Sequence, residues 1–272
     1  MGLIQFDQKR TRQPQEAVGV NWAHPITRGL IEAYNWGASA RDVVLGLYPS
    51  TDYAVPTVGP AGRGVTFSAE KHVITGKAWA GATEWTFLVL ALPGTAKTAA
   101  VSFGNGSGSA GQSYLMFNTN SSFSTSVGDL GFGSGPSPGS ASITVVSGGI
   151  VSYPAVYVGV QSDQRRVYRD GVLLGTGASG SITVGGSGHV TCMNGIQGYT
   201  GSGATGSKYF LAMIWGRGLS SAEVAEIGRD PWQLFESRRI WVPVSAASGP
   251  PTLAAIAASN LTASGARLTV TV

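Results

Sequence analysis

The sequence is poor in cysteine, in charge and in long apolar runs, and each shortage excludes a class of protein. Cys192 is the single cysteine, so the chain cannot form an intrachain disulfide framework, and no clustered Cys and His residues spell out a zinc site. No apolar run approaches the ~18 residues that span a membrane, and the N-terminus lacks the apolar segment of a signal peptide. We therefore expect a protein that is made in a cytoplasm and is not inserted into a membrane.

Charged residues make up 12 % of the chain, about half of the ~25 % typical of soluble domains. Between Thr86 and Ser162 the only charged residues are Lys97 and Asp129. A surface covered by Ser, Thr, Gly and Asn suits either a soluble protein or close packing in a large assembly. The formal net charge is +4, but the basic residues are scattered rather than aligned along one face, which argues against nucleic-acid binding.

Glycine is abundant, with 40 residues, and much of it lies in turns between short apolar segments. Residues 84–91 alternate between polar and apolar and then become continuously apolar, which is typical of a central sandwich strand. Further strands are predicted at residues 101–103, 114–117, 143–146 and 151–159. Residues 131–139 are interpreted as a flexible loop. Strands spaced by about 8–12 residues are typical of an antiparallel sandwich.

Residues 209–235 contain the clearest local pattern. The apolar run 209–215 predicts a strand buried on both faces. Ser220 and Glu223 have the spacing of a capping box and predict the start of a short helix, with Gly228 as its left-handed stop. An apolar cluster after the helix is formed by Trp232, Leu234 and Phe235.

Three segments resemble a known family. Residues 214–235, IWGRGLSSAEVAEIGRDPWQLF, are similar to the closing segment of laminin-G-like (concanavalin-A-like) jelly-roll domains, R-x-L-S-x-x-E-[IV]. Residues 166–175 resemble the family's hairpin x-x-Y-x-D-G-x-x-x-G, and Asp170-Gly171 is typical of a type I′ turn. Residues 21–30 and residues 230–235, DPWQLF, resemble the form of this domain that is found in structural proteins of tailed bacteriophages. The resemblance covers roughly Trp22 to Pro243.

The expected fold is all-β, a two-sheet antiparallel jelly-roll sandwich of the concanavalin-A-like type. We place an N-terminal arm at residues 1–19, the sandwich at residues 20–244, and a linker with a C-terminal strand tail at residues 245–272. In the tail, residues 267–272 alternate, so that Leu268, Val270 and Val272 share one face. A segment this short cannot bury a core of its own. We expect it to add to a sheet edge of a neighbouring subunit or of its own domain; a frayed terminus is the alternative.

Catalytic chemistry is not indicated. Related sandwich glucanases carry their carboxylates as E-x-D-x-x-E, and that spacing does not occur here. His24, His72 and His189 are far apart in sequence and lie in no nucleophile motif. We therefore predict no enzyme activity, no catalytic residues and no cofactor. Calcium, which many laminin-G-like domains bind at the sandwich rim, stays an open alternative without a matching motif and without named ligands.

The resemblance implies a non-enzymatic structural protein of a bacteriophage virion, made in the host bacterial cytoplasm. It would be tail-associated (fibre or fibre base) or capsid-decorating, it would form a homo-oligomer, and it would contact other virion proteins through its terminal arms. The alternative is a lectin-like, carbohydrate-binding module that contacts the host cell surface. Its candidate aromatic platforms are Trp79, Tyr114, Tyr153 and Tyr199, although each of them equally fits a core or rim position.

Removal of residues 250–272 tests the predicted role of the tail. If the tail adds a strand to a neighbouring subunit, a defined oligomer of the full chain falls to a monomer when these residues are removed, because the pairing is lost. The mass in solution of the two proteins at matched concentration is the measurement. An oligomer of unchanged size after the truncation would contradict the assembly role.

Overall fold

The computed structural model describes residues 13–14, 18–36, 42–44, 57–59, 62–66, 83–104, 112–119, 125–135, 142–178, 190–194 and 206–237. The strands in these ranges are β1 (Val18–Val20), β2 (Leu30–Asn35), β3 (Thr57–Gly59), β4 (Gly62–Thr66), β5 (Trp85–Leu92), β6 (Thr98–Gly104), β7 (Gln112–Thr119), β8 (Thr125–Gly135), β9 (Ser142–Val146), β10 (Ala155–Gln161), β11 (Gln164–Arg169), β12 (Val172–Ala178), β13 (Val190–Met193), β14 (Lys208–Trp215) and β15 (Phe235–Ser237). Helix α1 is Ser221–Arg229, and short 3-10 helices span Pro25–Thr27 and Pro231–Leu234.

The strands form two large sheets and a small ribbon. The eight-stranded sheet has the order β12-β11-β10-β5-β14-β4-β3, with β2 also paired to β14. The five-stranded sheet has the order β13-β6-β7-β8-β9, and β1 pairs with β15 in the ribbon. Every one of these strand pairs is antiparallel. The prediction of an all-β, antiparallel sandwich is confirmed.

The main core lies between the two large sheets. Phe87 of β5 meets Phe132 of β8 edge-on, with ring centroids 6.2 Å apart. The Trp85 indole donates a hydrogen bond to the Ser113 hydroxyl at 2.8 Å, which joins the two sheets directly. Because a buried indole N–H without a partner would be costly, this bond allows a large ring to fill the core.

A second apolar core covers the opposite face of the eight-stranded sheet. Leu88 and Leu90, which alternate with the inward residues of β5, face this second core together with Met213 of β14. Helix α1 covers them with Val224 and Ile227. β5 and β14 therefore have a core on each face, which explains why they are almost continuously apolar. The prediction that residues 209–215 form a strand buried on both faces is confirmed.

Helix α1 begins where predicted but ends one residue later. The Ser220 hydroxyl accepts from the Glu223 N–H at 3.3 Å, and the Glu223 carboxylate accepts from the Ser220 N–H at 2.8 Å, so the capping box is present. The interpretation of Gly228 as a left-handed stop is wrong, because the helix continues to Arg229. A Cβ on Gly228 would lie 2.5 Å from the Cα of Gly171, so the glycine is there to let the hairpin approach the helix.

The predicted Asp170-Gly171 turn joins β11 to β12. The φ angles of Asp170 and Gly171 are 50° and 81°, and two positive values are what a type I′ turn requires. The Asp170 carboxylate also accepts from the Val156 N–H at 2.9 Å, which ties the turn to β10. The hairpin is thus fixed both to the sheet and, through Gly171, to α1.

Two expectations for the middle of the chain need correction. Residues 131–135, interpreted as flexible, belong to β8, which is paired with β7 on one side and with β9 on the other. A Cβ on Gly131 would lie 2.5 Å from a methyl group of Thr119, so this glycine serves close packing rather than flexibility. β10 begins only at Ala155, and the residues from Val151 to Pro154, expected in a strand, form a loop.

The predicted arm boundary at residue 19 falls inside β1, which pairs with β15. Gln13, 4 % exposed, is also docked on the sandwich. Its side-chain amide accepts from the Arg63 N–H at 2.6 Å and donates to the Arg63 carbonyl at 2.7 Å. The side chain thus bonds to the backbone of β4 as a neighbouring strand would. Residues 1–12, the linker and the tail lie outside the described residues.

The segment after β14 is tied to the N-terminal turn by charge and hydrogen bonds. Arg217 and Glu223 form a two-point ion pair with N–O distances of 2.6 and 3.0 Å. The same guanidinium donates to the Arg28 carbonyl at 2.7 Å, and the Trp215 indole donates to the Ile26 carbonyl at 2.8 Å. The hydrogen bond from Arg217, with further bonds from Ser220, lowers the pKa of Glu223 from 4.5 to about 2.

A pH titration of stability tests this pair. Because the pKa of Glu223 is lowered on folding, the ionised carboxylate stabilises the fold above pH 4.5, and the contribution is lost as the pH falls towards 2. Glu223→Gln is expected to flatten the decline in the free energy of unfolding across this range, measured by denaturant titration at several pH values. Glu236→Gln, which neutralises an exposed carboxylate of β15, is the control. An unchanged decline in Glu223→Gln would contradict the assignment.

Gly228→Ala tests the contact between helix and hairpin. In an exposed helix interior, replacing glycine by alanine usually gains up to about 1 kcal/mol. Here the added methyl group meets the backbone of Gly171, so we expect a loss of about 1–3 kcal/mol in the free energy of unfolding. Ala222→Gly lies at an exposed position of the same helix and therefore measures helix propensity alone. It should lower the free energy of unfolding by no more than about 1 kcal/mol. A more stable Gly228→Ala protein would show that the hairpin does not need this glycine.

Candidate functional site

The four aromatic residues predicted as sugar platforms fall into three groups. Tyr153 is 43 % exposed. Tyr114 is fully buried on the outer face of the five-stranded sheet, where it packs with Ala99 and Met116. This corrects the expectation for Tyr114, because a ring without solvent contact cannot receive a sugar. Trp79 and Tyr199 lie outside the described residues, as do the predicted assembly residues Leu268, Val270 and Val272.

Tyr153 lies in the loop between β9 and β10, and this loop is held at several points. The Ile150 N–H donates to the Gly128 carbonyl at 2.9 Å, which joins the loop to β8. The Val151 N–H donates to the hydroxyl of Tyr157 at 3.2 Å, and burial raises the pKa of Tyr157, so this hydroxyl stays neutral. The backbone on the N-terminal side of Tyr153 is therefore fixed while its ring is partly exposed.

Charged side chains hold the same loop from two sides. The Asp129 carboxylate accepts from the Ser126 hydroxyl at 2.7 Å and from the Gly148 N–H at 3.1 Å. The bond from Ser126 is the main cause that lowers the pKa of Asp129, so this carboxylate is ionised at neutral pH. From the other side, the Arg169 guanidinium donates to the Gly149 carbonyl at 3.0 Å. The part of the loop that precedes Tyr153 is thus held by a carboxylate at Gly148 and by a guanidinium at Gly149.

Trp22 is 60 % exposed, more than Tyr153, and it was not among the platforms predicted from the sequence. It lies in the turn that leads from β1 to the first 3-10 helix. The sequence does indicate that Trp22 could lie at the surface. It stands among turn-forming residues, in Asn21-Trp22-Ala23-His24-Pro25, and outside any apolar periodicity. A large aromatic residue in such a context is a candidate for the surface.

Glu32 of β2 is a fully buried carboxylate. It lies between the edges of the two sheets, where it accepts from the Thr191 hydroxyl at 2.9 Å and from the Tyr34 hydroxyl at 3.4 Å. Because its side chain does not reach solvent and is hydrogen-bonded, it serves to join β2 to β13. Within the described ranges, no three His, Cys, Asp or Glu residues are grouped closely enough to hold a metal ion. No helix in those ranges is long and apolar enough to cross a membrane.

Comparison with known proteins gives structural neighbours only. No protein-family model matches the chain, and no curated protein matches it. Domain 4 of AbnA, a GH43 extracellular arabinanase from Geobacillus stearothermophilus solved with arabinotriose, superposes with a TM-score of 0.54 at 12 % identity. The superposition covers 74 % of this chain and 98 % of that domain. The binding domain of botulinum neurotoxin DC, solved with rat synaptotagmin II, gives a TM-score of 0.53 at 12 % identity and covers 75 % of this chain and 52 % of that one.

At this level of identity the likeness shows the fold and nothing more. The chain is an all-β sandwich of the kind that these solved binding domains share.

Proposed function

We propose that the sandwich is a non-catalytic, carbohydrate-binding module of the lectin-like kind. The observation that carries the proposal is the ring of Tyr153, which is 43 % exposed on a loop that hydrogen bonds hold in place. Support comes from a solved neighbour of the same fold, the arabinanase domain solved with arabinotriose.

The physical argument rests on what a saccharide offers to a protein. One face of a sugar ring carries C–H groups that pack on an aromatic ring, and its rim carries hydroxyls that donate and accept hydrogen bonds. The loop supplies the exposed ring of Tyr153, and the Asp129 carboxylate and the Arg169 guanidinium, which bind the same loop at Gly148 and Gly149, are the candidate acceptor and donor. Because the loop is already ordered, binding loses little conformational entropy.

A second candidate is a structural protein of a bacteriophage virion, located in the tail or on the capsid. The edge strand β12, which among the described residues pairs only with β11, supports the assembly part of this candidate. Its sequence VLLGTGA contains no charge, and Val172 and Leu173 are exposed, so within the described residues this edge carries none of the charges that usually hinder strand addition. The tail residues Leu268, Val270 and Val272, from the same chain or from another copy, would supply such a strand, and other virion proteins would be further partners.

The two candidates are compatible, since a virion protein can carry a module that binds host-surface glycans. They differ in what each requires. Glycan binding requires exposed rings and polar groups on the sandwich itself, whereas assembly requires only a free edge and a segment that pairs with it. Neither requires a reaction, a metal or a cofactor.

Tyr153→Ala tests the first candidate. An array of arabino-oligosaccharides and bacterial surface glycans identifies a ligand for the wild-type protein, and titration calorimetry measures its affinity. Loss of ring stacking of about 1.4 kcal/mol corresponds to a tenfold weaker affinity. Tyr153→Phe keeps the ring and should bind within a few-fold of wild type, and Val127→Ala, which shortens another exposed side chain, is a second control. A wild-type protein that binds no glycan on the array would refute the proposed function.

A further inference from the structure

Several backbone hydrogen bonds hold the exposed turn that carries Trp22. The Trp22 N–H donates to the Val20 carbonyl at 3.0 Å, and the His24 N–H donates to the Asn21 carbonyl at 3.0 Å. The Asn21 N–H reaches the Leu234 carbonyl at 2.9 Å, which anchors the turn to the second 3-10 helix. The backbone of Trp22 is therefore fixed on both sides.

Despite this order, the indole remains in solvent. Burial of an aromatic side chain stabilises a fold because it removes apolar surface from water, and Trp22, at 60 % exposure, forgoes much of that gain. Single exposed apolar residues are common on protein surfaces. Here, however, the residue is a tryptophan, the largest apolar side chain, and backbone hydrogen bonds hold the turn that carries it.

The polar groups beside the turn are also oriented. The His24 Nδ1 accepts from the Ile26 N–H at 3.3 Å, which leaves the proton of the neutral ring on Nε2. That Nε2 lies 3.3 Å from the Glu226 Oε1 on α1. The Glu226 side chain is 52 % exposed, so its carboxylate is held in place by His24 and still faces solvent.

We infer that Trp22 and Glu226 form a binding site for a neutral saccharide, separate from the loop of Tyr153. The indole receives the C–H face of a sugar ring, and the Glu226 carboxylate accepts hydrogen bonds from sugar hydroxyls, with His24 as a positioning residue. Bonds from a hydroxyl to a carboxylate are stronger than bonds between neutral groups. The same negative charge disfavours sialic or uronic acids, so the ligand class is neutral. This inference depends on the proposed function.

Sugar binding at this turn is tested with neutral and acidic oligosaccharides in parallel. Arabino-, xylo- and malto-oligosaccharides, and sialyllactose as the acidic probe, are titrated against the full chain by calorimetry. Trp22→Ala is expected to weaken binding of the neutral ligand at least tenfold, and Trp22→Tyr, which restores a ring, to recover most of the affinity. Glu226→Gln keeps the shape but removes the charge, and we expect an affinity several-fold weaker.

Two controls distinguish a loss of sugar binding at Trp22 from a loss of folding and from binding at the Tyr153 loop. Because the Trp22 side chain is exposed, Trp22→Ala should leave the unfolding midpoint within a few degrees of wild type, so that a loss of binding does not report unfolding. Glycan binding that is unchanged in Trp22→Ala but lost in Tyr153→Ala would overturn this inference and leave the proposed function standing. Binding of acidic ligands alone would also overturn it, and a wild-type protein that binds no saccharide would refute both.

Discussion

The structure depends on the burial of one strand pair, β5 with β14, on both faces. These two strands lie at the centre of the eight-stranded sheet, with the main core on one side and the helix-covered core on the other. Only a third layer can bury the second face, and that layer is formed by α1, the 3-10 helices and the ribbon of β1 with β15. The ion pair of Arg217 with Glu223 and the bond from Trp215 to Ile26 hold this layer at the point where β14 ends. The N- and C-terminal parts of the sandwich are therefore joined in one structure.

The elements that the sequence predicts well are those specified by local chemistry. The capping box at Ser220, the Asp170-Gly171 turn and the apolar run of β14 each depend on a few neighbouring residues, and all three are confirmed. The errors concern glycines whose role is set by residues distant in sequence. Gly228 looks like a helix stop until Gly171 is placed against it, and Gly131 looks like a loop residue until Thr119 is placed beside it. Periodicity and turn chemistry contain no information on such contacts.

The same limit applies to the candidate sites. An aromatic residue in a strand, such as Tyr114, and one in a loop, such as Tyr153, are equally plausible platforms in sequence, because exposure depends on what covers them. Trp22 lies in a turn and outside any periodic pattern, so sequence periodicity does not reveal its exposure. The turn there serves two purposes, since its backbone anchors the N-terminal part of the chain and its tryptophan reaches solvent. Both proposed sugar sites thus combine an immobile backbone with an exposed ring.

The central position of β14 also has a consequence during translation. β5 pairs with β10 on one side and with β14 on the other, and β14 is separated from β5 by more than half of the sandwich sequence. At synthesis rates of about 5–20 residues per second, roughly 120 residues correspond to about 6–25 s in which β5 has emerged from the ribosome without its second neighbour. During that interval an almost wholly apolar strand has an unpaired edge. The nascent chain therefore stays open to misassociation until its last core strand is made, and chaperone binding during this interval would protect it.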